Sequence, residues 1–286
     1  MKSEAVPAGG RQKGPYLGFM LATAMAAGMA TAVYPQSTTP PLSTYGTPGL
    51  VELPAAQVFY DGALAFNATK LGSTERYNVT FQVLPRVYGT FRYSNVTNFD
   101  RSFDIHFQLA DEGRLRPALA LGLRDFLGTG IFSSEYFAAT KTLGTRVQVT
   151  GGIGWGRLAG RNSFDNPLAI IDESLKKRGR GTTGRGGQLE TGKWFRGPAS
   201  LFGGLSYKVS DQLSLMAEYS PDLYTRETNA GIADISTPLN VGLLYRFKNG
   251  VDLKGFVVGG NEIGAQLSYV IDPAKRSIPG GLELAP

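Results

Sequence analysis

Apolar and polar side chains alternate with a period of two through most of the chain after residue 60. In residues 76–83 the odd positions carry Tyr, Val, Phe and Val, whereas the even positions carry Arg, Asn, Thr and Gln. Residues 102–109, 212–219 and 262–269 show the same alternation. An amphipathic helix needs apolar positions every three to four residues, and these segments do not have that spacing. The pattern therefore predicts β-strands that each have one apolar face.

Twelve segments of this kind are predicted, and most are about nine to eleven residues long, which is the length that a tilted strand needs to cross a bilayer. An even number of antiparallel strands is also typical of closed membrane barrels. The sequence thus predicts an all-β, transmembrane, antiparallel up-and-down β-barrel. The predicted strands are 62–69, 75–84, 86–94, 101–110, 116–125, 133–141, 144–155, 198–208, 211–220, 239–247, 250–258 and 261–270.

The connections between the predicted strands alternate in length. Those that follow even-numbered strands are short, namely 84–86, 110–115, 142–144, 209–211 and 248–250. Those that follow odd-numbered strands include every long one, namely 95–100, 126–132, 156–196 and 221–238. Outer-membrane barrels have short periplasmic turns and long extracellular loops. With the first strand starting on the periplasmic side, we expect loop 156–196 on the outer side.

A soluble barrel such as a lipocalin, or a β-sandwich, is the main alternative, because alternation alone does not say which face is inside. Two features favour the membrane barrel. Aromatic residues near strand ends suit interfacial girdles, among them Phe59, Tyr88, Trp155, Tyr207 and Tyr269. The polar strand positions also carry too many charges for a dry core. These charged positions are Arg76, Arg92, Asp104, Arg124, Arg146, Glu218, Arg246 and Lys254.

The N-terminal 32 residues have the features of a signal peptide. Three basic residues lie within the first 13 positions, an uncharged run follows over 16–33, and Ala30-Thr31-Ala32 provides a small-x-small cleavage pattern. An uncleaved membrane anchor is the alternative that the length of the run allows. The Ala, Gly, Thr and Met composition favours cleavage near Ala32. We therefore predict export to the outer membrane of a Gram-negative bacterium.

These observations divide the chain into four predicted parts. We expect a signal peptide over 1–32, a periplasmic lead-in rich in Pro, Ser and Thr over 33–57, the barrel over 58–270 and a C-terminal tail over 271–286.

Enzymatic and cofactor chemistry finds little support in the sequence. The chain has no cysteine and one histidine, which disfavours a transition-metal site. His106 shares the polar strand face with Asp104 and Gln108, so we interpret it as a hydrogen-bonded lumen residue rather than a catalytic one. The GxGxxG match at 179–184 lacks the preceding strand and following helix of a dinucleotide site. We predict a non-enzymatic protein without cofactor or metal.

The excess positive charge of the chain is concentrated in loop 156–196, which contains nine basic and four acidic residues. Guanidinium groups bind carboxylates in a bidentate manner, so this loop and the basic lumen positions suit an anionic polymer. Contact with lipopolysaccharide phosphates or with solvent alone is the alternative, and nucleic acid is not expected for an exported protein. The candidate polymer contacts are Arg92, Arg124, Arg146, Arg246, Lys254, Arg157, Arg161, Lys176, Lys177, Arg178, Arg180, Arg185, Lys193 and Arg196.

Several segments resemble the YjbH family of Gram-negative exopolysaccharide and capsule export proteins. Residues 45–56, followed by Asp61-Gly62, are similar to the opening of that family. Residues 125–136, DFLGTGIFSSEY, are similar to its most recognisable segment. Residues 152–158 and 164–168 also match the family pattern, so the resemblance covers roughly residues 44–270.

The resemblance implies an outer-membrane barrel that serves polysaccharide secretion together with periplasmic or lipoprotein export components. Family members are commonly longer, with a second barrel-like half, and some are lipoproteins, whereas this chain has one barrel and no cysteine. Two roles stay open at this point. The barrel passes an anionic polymer through a basic lumen, or it is a plugged barrel, with loop 156–196 as the expected plug, that organises export partners. A lipase-like enzyme is a third and weaker interpretation.

Overall fold

The structure is a computed structural model that describes residues 39–96, 99–179, 187, 189 and 191–272. The predicted signal peptide and residues 273–286 of the predicted tail lie outside the described residues.

Twelve antiparallel strands form one closed barrel, in which each strand pairs with its neighbours in sequence and the last pairs with the first. The closing pair runs from Leu64 opposite Ile271 to Leu71 opposite Gly264. The strands are β1 (Leu64–Leu71), β2 (Thr74–Leu84), β3 (Val87–Asn95), β4 (Phe99–Ala110), β5 (Ala118–Arg124), β6 (Ser134–Leu143), β7 (Val147–Trp155), β8 (Ala199–Lys208), β9 (Leu213–Tyr219), β10 (Leu239–Arg246), β11 (Val251–Val258) and β12 (Glu262–Ile271).

The predicted strand number and order are confirmed, and the bounds differ from the prediction by about three residues or fewer. The predicted asymmetry of the connections is also present, except that the connection after β3, predicted to be long over 95–100, is short because β4 already begins at Phe99. One end of the barrel, the long-loop end, carries the connections 125–133, 156–198 and 220–238. The other end, the short-turn end, carries 85–86, 111–117, 144–146, 209–212 and 247–250.

The apolar positions of the strands face outward and the polar positions face inward. On β2, Tyr77 and Phe81 are 49% and 46% exposed, whereas Arg76, Asn78 and Thr80 are buried. A soluble barrel would show the opposite arrangement, so this alternative is excluded and the fold is a transmembrane β-barrel.

Not every aromatic residue near a strand end belongs to an interfacial girdle. Tyr207 and Tyr269 do face outward. Phe59 and Tyr88 are buried inside the barrel, which corrects their predicted place at the membrane interface. Trp155 lies on the outer face beside Phe137, where Phe195 covers it. Tyr88 stacks on His106 with ring centroids 4.4 Å apart.

Helical structure in the described ranges is confined to the long-loop end. The 3-10 helices span Gly156–Ala159, Pro167–Ile170, Glu173–Lys176 and Thr191–Lys193, and helix α1 spans Thr225–Asn229. The first 3-10 helix packs against β6, β7 and β8, so that loop 156–196 covers part of this end. In the part of the chain that the structure describes, no helix has the length and apolarity to cross a membrane.

Residues 41–59 lie inside the barrel, and we call them the lumen segment. Leu50, Val51 and Leu53 are fully buried there. The predicted periplasmic lead-in over 33–57 therefore needs correction, because residues 41–57 fill the lumen instead of lying outside the barrel. The described residues of loop 156–196, the expected plug, lie at the long-loop end, and the lumen is filled by residues 41–59 instead.

The lumen segment folds on itself before it meets the barrel. Its backbone forms bridges between Leu42 and Pro48 and between Gly49 and Pro54. Gly46 has a φ of +75°, and a Cβ there would lie 2.4 Å from the Cβ of Asn78. A glycine is required at this position because it tolerates both the left-handed backbone and the close approach to β2.

Candidate functional site in the lumen

Glu218 on β9 holds the turn of the lumen segment. Its carboxylate accepts the backbone N–H groups of Val51, Glu52 and Leu53 at 2.9, 2.9 and 3.2 Å. The amide of Asn240 donates to the same carboxylate at 2.8 Å. A buried carboxylate is costly unless it is hydrogen-bonded, so these donors account for the burial of Glu218.

Lys254 on β11 provides the complementary anchor for carbonyl groups. Its ammonium donates to the carbonyl oxygens of Leu42 and Leu50, the latter at 2.6 Å. Inward polar side chains of other strands bind the backbone of the segment in the same way. These bonds run from Asn67 to Ser43 (3.0 Å), from Thr80 to Gly46 (2.7 Å), from Gln108 to Ala56 (2.9 Å), from Gln266 to Leu42 (2.9 Å), from Ala56 to Thr140 (2.8 Å) and from Phe59 to Gln82 (3.0 Å).

Glu52 at the tip of the lumen segment joins an ion pair deep in the barrel. Its carboxylate accepts from Arg76 of β2 at 2.7 Å and from Thr44 at 2.9 Å. The hydroxyl of Tyr224, in the loop before α1, donates to the other carboxylate oxygen. Arg124, the last residue of β5, donates to the Glu52 carbonyl at 2.9 Å. The segment thus reaches the long-loop end of the lumen.

Guanidinium groups surround the ring of Tyr45 in the same place. Arg124, Arg92 and Arg76 have their guanidinium carbons 3.9, 4.8 and 4.7 Å from the Tyr45 ring centroid. Phe132, in the β5–β6 loop, packs edge-on against Tyr45 with centroids 6.3 Å apart. These contacts are within the range of cation–π attraction. We call Tyr45, Glu52, Arg76, Arg92, Arg124, Phe132 and Tyr224 the central cluster.

Arg92 differs from its neighbours because it has a carboxylate partner on the barrel wall. It forms two hydrogen bonds with Asp104 of β4, at 2.6 and 3.0 Å. The same Asp104 accepts the backbone N–H of Asp125 at 2.8 Å. Arg76, in contrast, pairs with Glu52 of the lumen segment. Withdrawal of the lumen segment would leave the ion pair between Arg92 and Asp104 intact, but Arg76 would lose its ion pair with Glu52.

The β5–β6 loop, residues 125–133, connects the central cluster to the outer loops. Asp125 has a φ of 55° and accepts the N–H of Phe132 at 2.8 Å, which holds Phe132 against Tyr45. Burial raises the pKa of the Asp125 carboxyl to about 7, and the nearby Arg92 opposes this rise. The loop is therefore a buried part of the site rather than an exposed connection.

Two arginines of loop 156–196 tie this loop to the barrel. Arg157 donates to Asp222 at 2.7 Å and to Glu227 at 3.0 Å. Arg178 forms two bonds with Glu135 of β6, at 2.6 and 2.9 Å. All three carboxylate partners and both arginines are largely shielded from solvent. In this arrangement Arg157 and Arg178 use their charges to hold loop 156–196 against the barrel.

The structure places the predicted polymer contacts in three different environments. Arg92, Arg124 and Lys254 are buried against the lumen segment or the wall, and Arg246 pairs with Asp252 at 2.7 Å and binds the Thr39 carbonyl. Arg146 lies exposed in the β6–β7 turn, which corrects its predicted lumen position.

The remaining candidates belong to loop 156–196. Arg161 and Arg196 bind the backbone carbonyls of Ile235 and Ser174, and Lys193 is buried. Lys176 and Lys177 are exposed, and Lys176 pairs with Glu173 at 2.8 Å. Arg180 and Arg185 lie outside the described residues. The lumen candidates are thus brought together by the lumen segment, whereas the exposed loop lysines are separate from them.

His106 has the hydrogen-bonded lumen position that the sequence predicted. Its Nδ1 lies 3.0 Å from the hydroxyl of Tyr136, and its ring stacks on Tyr88. The ring is almost fully buried.

Sequence reasoning did not identify Tyr45, Glu52 and Phe132 as site residues. They occur in the two segments, 45–56 and 125–136, that carry the strongest family resemblance. Arg76 and Glu218 appeared only as inward charges without assigned partners. Strand parity predicted that these charges face the lumen. The need to pair them is the signal from which a second element inside could have been inferred, and that inference was not made.

A family model described as "Exopolysaccharide biosynthesis protein YbjH" matches residues 41–286, from the first residue of the lumen segment onward. A protein of Escherichia coli (strain K12) named "Uncharacterized lipoprotein YjbH" is 31% identical over 253 residues, which cover 82% of this chain and 36% of that protein. The chain therefore spans a little over a third of the length of this relative.

Solved structures with a similar fold include two porins. The KdgM porin matches with a TM-score of 0.40 and 8% identity, over 73% of this chain and 96% of its own. The NanC porin matches with a TM-score of 0.37 and 6% identity, over 72% of this chain and 98% of its own.

Proposed function

The chain belongs to the YjbH family, and we propose that it is a non-enzymatic outer-membrane barrel that takes part in the secretion of an anionic exopolysaccharide or capsular polysaccharide. The apolar outer surface of the barrel supports residence in the membrane. Partners of this function are the outer-membrane lipid, the polymer, and periplasmic or lipoprotein export components.

The observation that carries the proposal is the balance of charge in the lumen. Arg76, Arg124 and Lys254 direct hydrogen bonds to the lumen segment, which contributes a single carboxylate, Glu52, and several carbonyl oxygens. With the segment withdrawn, these three cations would line the lumen together with the carboxylate of Glu218. An anionic polymer would then replace the groups that the segment provides.

The lumen segment acts as the gate in this proposal. The barrel is closed as long as residues 41–59 fill it, so passage of polymer requires their movement. Exposed Lys176 and Lys177 of loop 156–196, with the other basic residues of that loop, would guide the polymer at the outer side. The buried and hydrogen-bonded state of His106 supports a role without catalysis.

A plugged barrel that organises export partners is the second candidate. The many hydrogen bonds that hold the lumen segment favour it, because they make a permanently closed barrel stable. In this case the segment would never leave, and the protein would act through its surfaces.

A disulfide lock distinguishes the two candidates. The Cγ2 of Val51 lies 3.0 Å from the place that a Cβ at Gly242 would occupy, so Val51→Cys with Gly242→Cys brings two thiols within reach of a disulfide. The natural chain has no cysteine, so each single variant is a clean control. For a gated conduit, oxidation of the double variant stops polymer secretion in a deletion strain, and reduction restores it.

Normal secretion by the oxidised double variant would contradict the conduit and support the organising role. Normal secretion by the deletion strain itself would contradict both. Heat-modifiable gel mobility shows in each case that the barrel has folded.

A further inference from the structure

We infer that the central cluster is a binding site for the carboxylate of an acidic sugar, and that Glu52 and Tyr45 of the lumen segment occupy this site in the closed barrel. The inference rests on the proposed function and adds the class of sugar and the place where it binds. The barrel supplies Arg76, Arg124, Phe132 and Tyr224, and the lumen segment supplies the two groups that these residues hold.

The first argument is the geometry around Glu52. Its carboxylate is bound by a guanidinium at 2.7 Å and by the hydroxyl of Tyr224, both of which belong to the barrel. A guanidinium with a neighbouring hydroxyl donor is a typical arrangement for carboxylate recognition. The barrel residues alone therefore form a carboxylate site, and Glu52 is the ligand that the chain itself provides.

The second argument is unused hydrogen-bonding capacity. Within the described part of the chain, the Nε–H groups of Arg76, Arg92 and Arg124 are buried and have no acceptor. Buried donors are normally satisfied, so three such groups around one centre are exceptional. The lumen segment fills the space but provides too few acceptors. A sugar acid has ring and hydroxyl oxygens in addition to its carboxylate and can satisfy more of these donors.

The third argument concerns the aromatic groups. Phe132 on the wall packs against the ring of Tyr45, which the segment inserts between the guanidinium groups. A pyranose ring has about the size of a phenol ring and an apolar C–H face that packs on aromatic rings. When Tyr45 leaves, Phe132 offers such a surface beside Arg76 and Arg124. The pair of Tyr45 and Glu52 thus matches a sugar ring and its carboxylate.

The charge pattern favours a carboxylated sugar over a neutral one. Arg92 keeps Asp104, but Arg76 loses its carboxylate partner when the segment moves. A neutral sugar would leave this buried cation unpaired, which is costly.

The test measures binding of oligogalacturonate to the full-length protein in detergent by calorimetry. Glu52→Gln removes the competing charge and keeps the shape, so we expect about tenfold tighter binding than in the natural protein. Adding Arg76→Gln to this variant should cancel the gain, whereas adding Arg146→Gln in the exposed β6–β7 turn should not. The oxidised Val51→Cys/Gly242→Cys protein should not bind.

Neutral maltohexaose and a phosphorylated oligosaccharide are measured in parallel. Equal binding of the neutral and acidic sugars, tighter binding of the phosphorylated one, or equal affinity of the Glu52→Gln and natural proteins would overturn the inference. Secretion by the deletion strain is scored separately. If the deletion strain loses secretion but the natural and Glu52→Gln proteins have equal affinity, the site is rejected and the proposed function is kept. If the deletion strain secretes normally but the affinities are as expected, the proposed function is rejected and the site is kept.

Discussion

The carboxylate of Glu218 lies 2.9 Å from the backbone nitrogen of Val51, 167 positions earlier in the chain. This contact joins the ninth strand to a segment that precedes the first strand. Since Glu218 binds two further backbone N–H groups of that segment, it is a principal anchor of the closed state.

Glu218→Gln should loosen the lumen segment. The glutamine amide has one acceptor oxygen in place of two, and its NH2 group would point at the backbone N–H donors of the segment. We expect a loss of about 1 to 3 kcal/mol in the stability of the closed state. Planar-bilayer recordings should show more frequent openings than in the natural protein. Glu262→Gln is the control and should leave the openings unchanged, because the Glu262 carboxylate lies at the long-loop end and accepts the backbone N–H of Asp234.

Gly46→Ala should displace the lumen segment from β2, since the added Cβ would collide with Asn78 and the backbone of residue 46 is left-handed. The expected cost is about 2 to 4 kcal/mol. Gly144→Ala is the matched control, because Gly144 also has a positive φ but has open space around it, so it costs about 1 kcal/mol. Urea unfolding in detergent, followed by tryptophan fluorescence, measures both values. Equal costs would show that the close contact with Asn78 does not constrain the segment.

Asp125→Asn should change the dependence of stability on pH. Burial raises the folded-state pKa of Asp125 to about 7, above the unfolded value, so the natural protein loses stability as the pH rises from about 4 to about 7. The neutral variant avoids this loss. It should equal the natural protein near pH 4 and exceed it by about 1 to 4 kcal/mol at pH 8. A constant difference across this range of pH would contradict the assignment.

Arg178→Gln should release loop 156–196 from β6. Glu135 is almost fully buried and would lose its ionic partner, which typically costs about 3 to 5 kcal/mol. Trypsin should then cleave after Lys176 and Lys177 faster than in the natural protein, as followed by mass spectrometry. Lys208→Gln removes an exposed ion pair at the short-turn end and should not change the cleavage rate.

The strands were predictable because lipid and lumen impose opposite demands on successive residues. Tyr77 and Phe81 face outward, and Arg76 and Asn78 face inward. The alternation with a period of two therefore predicts the strands and their faces without knowledge of long-range contacts. The lengths of the connections were predictable for the same reason, since they follow from the positions of the strands in the sequence.

The lumen segment was not predictable from local pattern. Residues 41–59 are rich in Pro, Gly, Ser and Thr and have no periodicity, and their partners, such as Glu218 and Lys254, are far away in sequence. The basic lumen positions were located correctly for Arg92, Arg124 and Lys254. Their partners were not, because the acceptors are mostly backbone carbonyls, which no residue type reveals.

The path of the lumen segment determines how it would respond to mechanical tension. Thr39 meets Arg246 at the short-turn end, Leu42 meets Lys254 further in, and Glu52 lies deepest, near the long loops. A force applied at residue 39 toward the short-turn end would load these contacts one after another. The segment would peel away in steps from the outermost bond, and the Glu52 pair would break only after the contacts of Thr39 and Leu42. The work of extraction would thus be spread over distance, and weak traction could suffice where simultaneous rupture would demand a strong pull.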